Sequence, residues 1–440
     1  MDLKDTIKIA YGWLGPRGPI WNTELPNVLT FTNACEGGQT FSTNFWVDDL
    51  WARLFRYKKE EFLLAPSSEM TDQDVFIYPF SLTWRINFNH YFFGKTGILE
   101  YGHVSQHVTH HVRANKGFFL IDMSVEAWVQ QDHLLSMHSY FSGNHHIPMY
   151  KIIYLTGAMN ANAIYNQWCQ AKGITDPRDK MNIISFPSSQ AVYARQFANK
   201  DLVEPAYDVT TVPNKLFLCW NRRFRPHRTE LIMNLDKLGL VDRSYYSIGV
   251  VDPENPGHMF AQTIDPGIMQ FYGIDNNDVN RLLGKLPLVV DNESEIVQMC
   301  EDRNMLARKF YTDSLISIVT ETNYHANEVT LTEKAFKPAK EKHPFILVGA
   351  AGALQSMRDL GYKTFGEFWS EEYDNIKEPH SRMREIVRIC EDIGKWNNEQ
   401  ILDFKRRVKP ILDHNFTMFS TSPNDLVATK INDIVRSIVK

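Results

Sequence analysis

Residues 314–365 have the sequence SLISIVTETNYHANEVTLTEKAFKPAKEKHPFILVGAAGALQSMRDLGYKTF. This stretch predicts a buried strand that ends near Thr320, a polar loop, a helix that begins around Thr332, a second buried strand and a loop of small residues. The alternation of strand and helix is typical of a parallel α/β sheet. Because ligands of such sheets bind beyond the carboxyl ends of the strands, the residues that follow each strand are the first candidates for a site.

The same alternation extends upstream. Short apolar runs precede amphipathic stretches in LFLCW with RTELIMNLDKLG, in GFFLIDMS with VEAWVQQDHLLSMHSYF, and in KIIYLTGA with MNANAIYNQWCQAKG. A chain of 440 residues is longer than the roughly 250–300 residues at which one core stops growing. The polar stretch DLVEPAYDVTTVPN, with two prolines, is the best linker candidate. We therefore predict two domains, residues 1–210 and residues 211–440, with the C-terminal helices in the second.

Composition limits the class of protein. The net charge of −5 gives no global electrostatic reason to bind nucleic acid. No apolar run approaches the roughly 20 residues that span a bilayer, and the N-terminus lacks an apolar signal region. The cysteines are odd in number and never form CxxC, which argues against a disulfide framework or a structural zinc site. We expect a cytoplasmic protein without a membrane partner.

The segment KLFLCWNRRFRPHRTELIMNL, residues 215–235, places a basic turn between a strand and a helix. The strand ends at Trp220 and the helix begins near Pro226. Guanidinium groups and a helix N-terminus together suit phosphate or carboxylate oxygens, and a pyrophosphate is the obvious ligand. The alternative is a solvated turn whose arginines pair with surface acids. The polar residues of this turn are Asn221, Arg222, Arg223, Arg225, His227 and Arg228.

Two further segments follow strands. At the helix start, Glu333 is placed to accept hydrogen bonds from ribose hydroxyls and Lys334 to neutralise phosphate, although a plain N-cap at Thr332 explains the same residues. The loop that begins at Gly349 would let backbone N–H groups approach a ligand, although tight packing of strand against helix explains it equally well. No P-loop motif is present.

Three motifs, WNRRFRPHR, SIVTE…TLTEKAFKP and HPFILVGAAG, occur in this order. They resemble the C-terminal donor domain of GT-B glycosyltransferases, especially the alpha-1,3-fucosyltransferase-like branch and predicted glycosyltransferases of large tailed phages. The resemblance implies two Rossmann-like domains facing a central cleft, and a nucleotide-sugar donor. It also implies that Glu321, Glu333 and Lys334 contact the donor nucleotide and sugar, and that Arg223 and Arg228 bind the diphosphate. The interval between Glu321 and TEK is longer than in fucosyltransferases, so sugar identity is not carried over.

The predicted donor site needs no metal ion. A glycosyl donor loses a nucleoside diphosphate, so the site must stabilise negative charge on the leaving phosphate. Arginine, lysine and a helix N-terminus can do so without a metal ion. The predicted donor-binding residues are Asn221, Arg223, Arg228, Glu321, Thr332, Glu333, Lys334 and Gly349.

An inverting transferase also needs a base for the acceptor hydroxyl. Asp122 and Glu126, after the strand GFFLID, are the candidates, with capping of the next helix as the alternative. A retaining reaction would need no such base. The acceptor has no readable signature; the phage-like resemblance makes a hydroxylated DNA base worth testing beside glycans.

Nine of the fifteen histidines lie between His90 and His146. On a helix, His103, His107, His110 and His111 would share one face. Without HExxH or a carboxylate at ligand spacing, we favour a polar or acceptor-lining face over a metal site. Two other classes stay open: a histidine-rich metal-dependent hydrolase, and a non-catalytic nucleotide or nucleic-acid binder that uses the turn from Trp220 to Arg228.

Overall fold

A computed structural model describes most of the chain. The described residues are 7–11, 62–66, 70–81, 106–114, 116–124, 127, 129–187, 204–221, 223–253, 255–290, 305–420 and 424–439. The chain forms two compact units, one of Met1–Arg195 with Ser422–Lys440 and one of Gln196–Thr421. The predicted fold class, α/β with two Rossmann-like domains, is confirmed.

The first unit is built on a parallel sheet with the order β2-β1-β3-β4-β5-β6. Every residue of β4 is buried, because apolar clusters cover both faces of the sheet: Phe119 and Ile121 belong to one cluster, Phe118 and Leu120 to the other. The strands are β1 (Ile7–Tyr11), β2 (Phe62–Pro66), β3 (Phe76–Ser81), β4 (Gly117–Met123), β5 (Ile152–Thr156) and β6 (Asn182–Ser185).

Helices connect these strands. They are α1 (Gln106–Ala114), α2 (Gln131–His138) and α3 (Ala161–Ala171), with a π-helical segment Ser139–Asn144 after α2 and 3-10 turns at Met149–Lys151 and Pro177–Asp179. The buried face of α1 carries Val108 and Val112, which belong to the first cluster.

The second unit has a parallel sheet with the order β12-β11-β7-β8. Its strands are β7 (Lys215–Trp220), β8 (Ser244–Ser247), β11 (Ser314–Thr320) and β12 (Phe345–Val348), and an antiparallel hairpin of β9 (Val251–Asp252) and β10 (Asn255–Met259) follows β8. The chain leaves β7 toward β8 on one side and later adds β11 on the other side of β7. Strand order therefore reverses between β7 and β11, and such switch points open a crevice for ligands.

The helices of the second unit begin with recognisable signals. Helix α4 has Pro226 in its first turn, α8 has Thr332 as N-cap, and α9 follows Gly352 at φ +88°. The helices are α4 (Pro226–Lys237), α5 (Pro266–Tyr272), α6 (Asn276–Lys285), α7 (Met305–Thr312), α8 (Glu333–Lys340), α9 (Ala353–Asp359), α10 (Pro379–Gly394) and α11 (Asn398–Ser420), with 3-10 turns at Phe260–Thr263 and Glu372–Asn375.

The last helix, α12 (Asn424–Val439), packs with the first unit. Its buried residues Val427, Ala428, Ile431 and Val435 belong to the same apolar cluster as Phe118. The structure thus differs from the predicted division at 210/211, which put all C-terminal helices in the second domain. The physical reason is that α12 carries an apolar stripe at helical spacing, and the second face of the first sheet supplies the surface that buries it.

No helix in the described part of the chain combines the length and the apolar character needed to cross a membrane.

Candidate functional site at the switch point of the second sheet

Asn221 joins three strand ends at the switch point. It follows β7 directly and is 3% exposed. Its backbone N–H donates to the carbonyl of Ser247 at the end of β8 (3.1 Å), and its side-chain oxygen accepts from the hydroxyl of Thr320 at the end of β11 (2.5 Å). Its amide nitrogen donates to the sulfur of Cys219 (3.2 Å). The structure therefore places this predicted donor ligand inside the protein, where it fixes the rim of the crevice.

Arg228 is a buried cation in the first turn of α4. It is 3% exposed. Its guanidinium donates to the backbone oxygens of Thr320 (3.2 Å) and Arg223 (2.9 Å), and Nε has no partner within the described part of the chain. Burial lowers the pKa of Arg228, and the neighbouring Arg225 adds to this effect. Among the described residues no carboxylate forms an ion pair with it; its hydrogen-bond acceptors there are backbone oxygens, and the charge of Glu321 favours the cation from a longer distance.

The rest of the basic turn is more accessible. The Arg223 side chain is 38% exposed, and its Nε lies 3.4 Å from a carboxylate oxygen of Asp252 on β9. This pairing matches the alternative interpretation of the turn, except that Asp252 is buried. Arg225 is the N-cap of α4, and neither a side-chain cap nor an acidic residue in the first turn occupies this helix end. Arg222 lies outside the described residues.

Glu321 is completely buried and its carboxylate is fully engaged. Oε1 accepts from the Thr332 backbone N–H (2.9 Å), and Oε2 accepts from the Thr332 hydroxyl (2.6 Å) and the Thr322 N–H (3.3 Å). Burial raises the pKa of Glu321, although the charge of Lys334 and the bonds to Thr332 oppose this. The resemblance implies that Glu321 contacts the donor, whereas the structure directs its carboxylate to the start of α8.

Glu333 and Lys334 are accessible charges at the start of α8. Their side chains are 41% and 29% exposed, and the Lys334 ammonium donates to Glu333 (3.1 Å) and to the Thr332 hydroxyl (3.2 Å). Burial acts to raise the pKa of Glu333, but Lys334 and Lys337 outweigh it and the pKa is lowered. A carboxylate that stays ionised can accept hydroxyl hydrogen bonds, and the adjacent ammonium can meet a phosphate.

Gly349 follows β12 and lies against Glu321. A Cβ at this position would come within 2.9 Å of the Ala353 Cβ and 3.8 Å of the Glu321 Cβ. The short distance to Ala353 shows that glycine is needed here for close packing of the strand end against the helix, which is the alternative that the sequence left open.

The N-terminus of α9, after this glycine loop, already holds an anion of the protein. The carboxylate of Asp374 accepts from the backbone N–H groups of Leu354 (3.0 Å) and Gln355 (2.9 Å), and its carbonyl accepts from Gly352 (2.8 Å). These donors are consequently occupied by the chain itself. Sequence reasoning did not identify Asp374, because nothing near it in the sequence marks it as a cap for a helix so far upstream.

His227 adds a contact that the local sequence did not reveal. Its Nε2 lies 3.0 Å from the backbone oxygen of Glu321, and its ring stacks on Tyr324 at 5.0 Å. Burial lowers its pKa to about 3, so the ring is neutral and its N–H can donate to that carbonyl. His227, Arg228 and Asn221 thus all bind the end of β11.

The predicted catalytic base is only half described. Asp122 lies within β4, is 3% exposed, and accepts a hydrogen bond from the Ser124 N–H (2.9 Å). Glu126 lies outside the described residues. Nothing in these contacts tests a role in proton transfer, and the assignment stays a prediction.

The histidines of α1 do not share an exposed face. His107 and His110 are exposed, whereas His111 is completely buried with its Nδ1 3.0 Å from the Tyr78 hydroxyl. The predicted common face is therefore wrong for His111, because the inward side of the helix continues through Val108 and Val112 into the core. His103 lies outside the described residues. Within the described part of the chain, no group of three or more His, Cys, Asp or Glu side chains is arranged to hold a metal ion.

Comparison with known proteins gives remote structural neighbours. No family model and no curated protein matches the sequence. The alpha,alpha-trehalose-phosphate synthase (UDP-forming) from Burkholderia vietnamiensis aligns over 93% of this chain and 83% of its own, with 10% identity and a TM-score of 0.41. The alpha,alpha-trehalose 6-phosphate synthase from Burkholderia multivorans aligns over 93% and 80%, with 13% identity and a TM-score of 0.39. The similarity to fucosyltransferase-like and phage enzymes therefore rests on the three sequence motifs alone.

Proposed function

We propose that the protein is a GT-B glycosyltransferase, a hexosyl- or pentosyltransferase, which moves a sugar from a nucleoside-diphosphate donor to an acceptor hydroxyl. The observation that carries the proposal is Arg228, a buried cation at the switch point without a carboxylate partner among the described residues. A buried charge is costly unless it is compensated, and an anionic ligand at the carboxyl ends of β7 and β11 would compensate it.

The surrounding groups fit the parts of such a donor. The uncapped N-terminus of α4 suits the diphosphate, and Lys334 is accessible for the same negative charge. Glu333 is accessible and ionised, so it can accept hydrogen bonds from ribose hydroxyls. The N-terminus of α4, Arg228 and Lys334 would stabilise the negative charge that develops on the leaving diphosphate.

We propose that this stabilisation needs no metal ion, since arginine, lysine and a helix N-terminus supply the positive charge. For an inverting reaction the proposed bases are Asp122 and Glu126, and a Glu126→Gln variant that keeps donor binding but loses transfer would support that role. Proposed acceptors are the hydroxyls of glycans and of hydroxylated DNA bases. A DNA duplex with hydroxymethylated bases and an unmodified duplex form the matched test pair.

The donor site can be tested by thermal unfolding with UDP, GDP, ADP and their sugar conjugates, each with and without EDTA. A ligand at 100 times its Kd stabilises the folded state by about 2.7 kcal/mol, so one nucleotide should raise Tm by several degrees in EDTA. Glu333→Ala should reduce this shift, because its carboxylate is proposed to bind the ribose. Glu385→Ala, on the exposed side of α10, is the matched control and should keep it.

Two results would contradict the proposal. One is the absence of any shift with every nucleotide in the wild-type protein. The other is stabilisation by divalent metal ions alone, which would favour the metal-dependent hydrolase.

A further inference from the structure

Glu321 has a different position from the other acidic residue of the proposed donor site. Glu333 has a side chain 41% exposed, whereas Glu321 is 0% exposed. A carboxylate without solvent access cannot accept a hydrogen bond from a ligand unless the protein rearranges around it. Glu321 is therefore poorly placed for the donor contact that the resemblance implies.

Its hydrogen bonds point to another role. Both carboxylate oxygens bind Thr332, one through the backbone N–H (2.9 Å) and one through the hydroxyl (2.6 Å). Glu321 begins the loop that follows β11, and Thr332 ends it as the N-cap of α8. The carboxylate thus closes this loop at its base and fixes the residue immediately before Glu333 and Lys334.

The end of β11 is itself held in place. Arg228 donates to the backbone oxygen of Thr320, and His227 lies within hydrogen-bond distance of the backbone oxygen of Glu321. The Glu321 N–H donates to the carbonyl of Val348 on β12 (2.9 Å). Because the end of β11 is held by these bonds, the Glu321 carboxylate fixes the start of α8 relative to β11.

The Thr332 hydroxyl links this carboxylate to the accessible charges. It donates to Glu321 and accepts from the Lys334 ammonium (3.2 Å), which also donates to Glu333 (3.1 Å). Loss of the Glu321 carboxylate would remove the acceptor of the Thr332 hydroxyl, which would then be held only by its N-cap bond to the Lys334 N–H. The Lys334 ammonium, and through it Glu333, would be held less firmly. Positioning of this kind is what binding sites require of the residues behind the contact layer.

We infer that Glu321 is a positioning residue, which orients Glu333 and Lys334 through Thr332 and does not itself touch the donor. This inference rests on the proposed function, because it assigns Glu333 and Lys334 to a nucleotide ligand.

A double-mutant cycle on nucleotide affinity tests the inference. The Kd of UDP, GDP and ADP is measured by calorimetry at 25 °C for wild type, Glu321→Gln, Glu333→Ala and the double variant. In the wild-type background Glu321→Gln should weaken binding about tenfold, since a hydrogen bond to a charged group is lost. In the Glu333→Ala background the same substitution should have a clearly smaller effect on Kd, because only the part that acts through Lys334 remains. Equal effects in both backgrounds would overturn the inference.

Threonine variants protect the test against misfolding of Glu321→Gln. Thr332→Ser retains the hydroxyl and should bind within about twofold of wild type, whereas the isosteric Thr332→Val should weaken binding about tenfold, as Glu321→Gln does. A merely structural role would lower Tm without changing Kd in the folded protein, and this result would overturn the inference.

Failure of the proposed function has a separate signature. If wild type binds none of the three nucleotides or their sugars, the glycosyltransferase proposal fails and the positioning role falls with it. If wild type binds but the cycle is additive, only the positioning role fails.

Discussion

Three histidines of the first unit and Arg228 of the second unit show two different ways of placing a polar side chain away from water. In the first unit, His111, His133 and His138 each lie within hydrogen-bond distance of a tyrosine hydroxyl (3.0, 3.3 and 2.9 Å), and burial lowers the pKa of each imidazole to about 4. In the second unit, the hydrogen-bond acceptors of the Arg228 guanidinium among the described residues are the backbone oxygens of Arg223 and Thr320. Each histidine–tyrosine pair is neutral, so burial leaves no net charge, although Nε2 of His111 has no partner among the described residues. Arg228 carries a buried charge that an anionic ligand would stabilise. The histidine-rich sequence of the first unit is thus weaker evidence for a site than one arginine of the second.

The largest effect that this comparison predicts is for Arg228→Met. Nucleotide affinity should fall about 100-fold, or about 2.7 kcal/mol, because the positive charge of the buried guanidinium is proposed to attract the diphosphate. The free energy of unfolding should change by only about 1 kcal/mol, since the lost hydrogen bonds are offset by the removed penalty of burying a charge. Calorimetric Kd and urea unfolding give the two numbers.

Arg388→Met is the matched control for this substitution. The Arg388 side chain is 55% exposed on α10, where it pairs with Glu385. Both its Kd and its stability should stay near wild type. A large loss of stability in Arg228→Met with unchanged Kd would show that the cation serves the fold, and the contrast between the units would disappear.

The second prediction concerns His111→Phe in the first unit. This change should lower the free energy of unfolding by about 1–3 kcal/mol, because the buried Tyr78 hydroxyl loses its imidazole partner. Nucleotide affinity should not change. His110→Phe, at an exposed position of the same helix, is the control and should be near neutral in both measurements. A marked loss of nucleotide binding in His111→Phe would return the histidines to the list of site residues.

The sequence predicts those parts of the fold in which the pattern of apolar residues reveals which strands and helices are buried. The run SLISIVT predicts β11 and FILV predicts β12 because strands buried on both faces need continuous apolar residues. The placement of α12 was not predictable. An apolar stripe predicts that a helix packs against another part of the protein, but it does not predict which surface that is. Residues 424–439 could as well have covered the second sheet.

The location of the site was predictable, but which of its residues are buried and which are accessible to a ligand was not. Chain order puts Asn221 and Glu321 after strands, which suffices to place both at one edge of the sheet. Whether a polar residue faces solvent or a partner depends on residues that approach from elsewhere. Asp252 pairs with Arg223, and Asp374 fills the end of α9, from positions with no local signature. Two glutamates of the same sequence motif therefore differ in the structure: Glu333 is partly exposed and Glu321 is buried.

The smallest effect is a pH dependence that separates the two units. Unfolded histidine titrates near pH 6.5, so the unfolded chain binds more protons than the folded first unit as pH falls toward 4. The stability contributed by neutral His111 is therefore present above pH 6.5 and lost below it. Buried Glu321, whose pKa is raised, has the opposite sign: its contribution is present below the ordinary pKa of glutamate and lost as pH rises.

Stability of the first unit should consequently fall between pH 7 and pH 6, and His111→Phe should reduce that fall by about 0.7 kcal/mol, the linkage expected for one such histidine. Hydrogen exchange of β4 and β11 peptides, corrected for the intrinsic pH dependence of exchange, resolves the units separately. The β4 peptide of wild type should lose protection at pH 6, and His111→Phe should lose less relative to its own value at pH 7. An identical pH response in wild type and variant would contradict the prediction, because it would mean that the pKa of His111 does not change on unfolding.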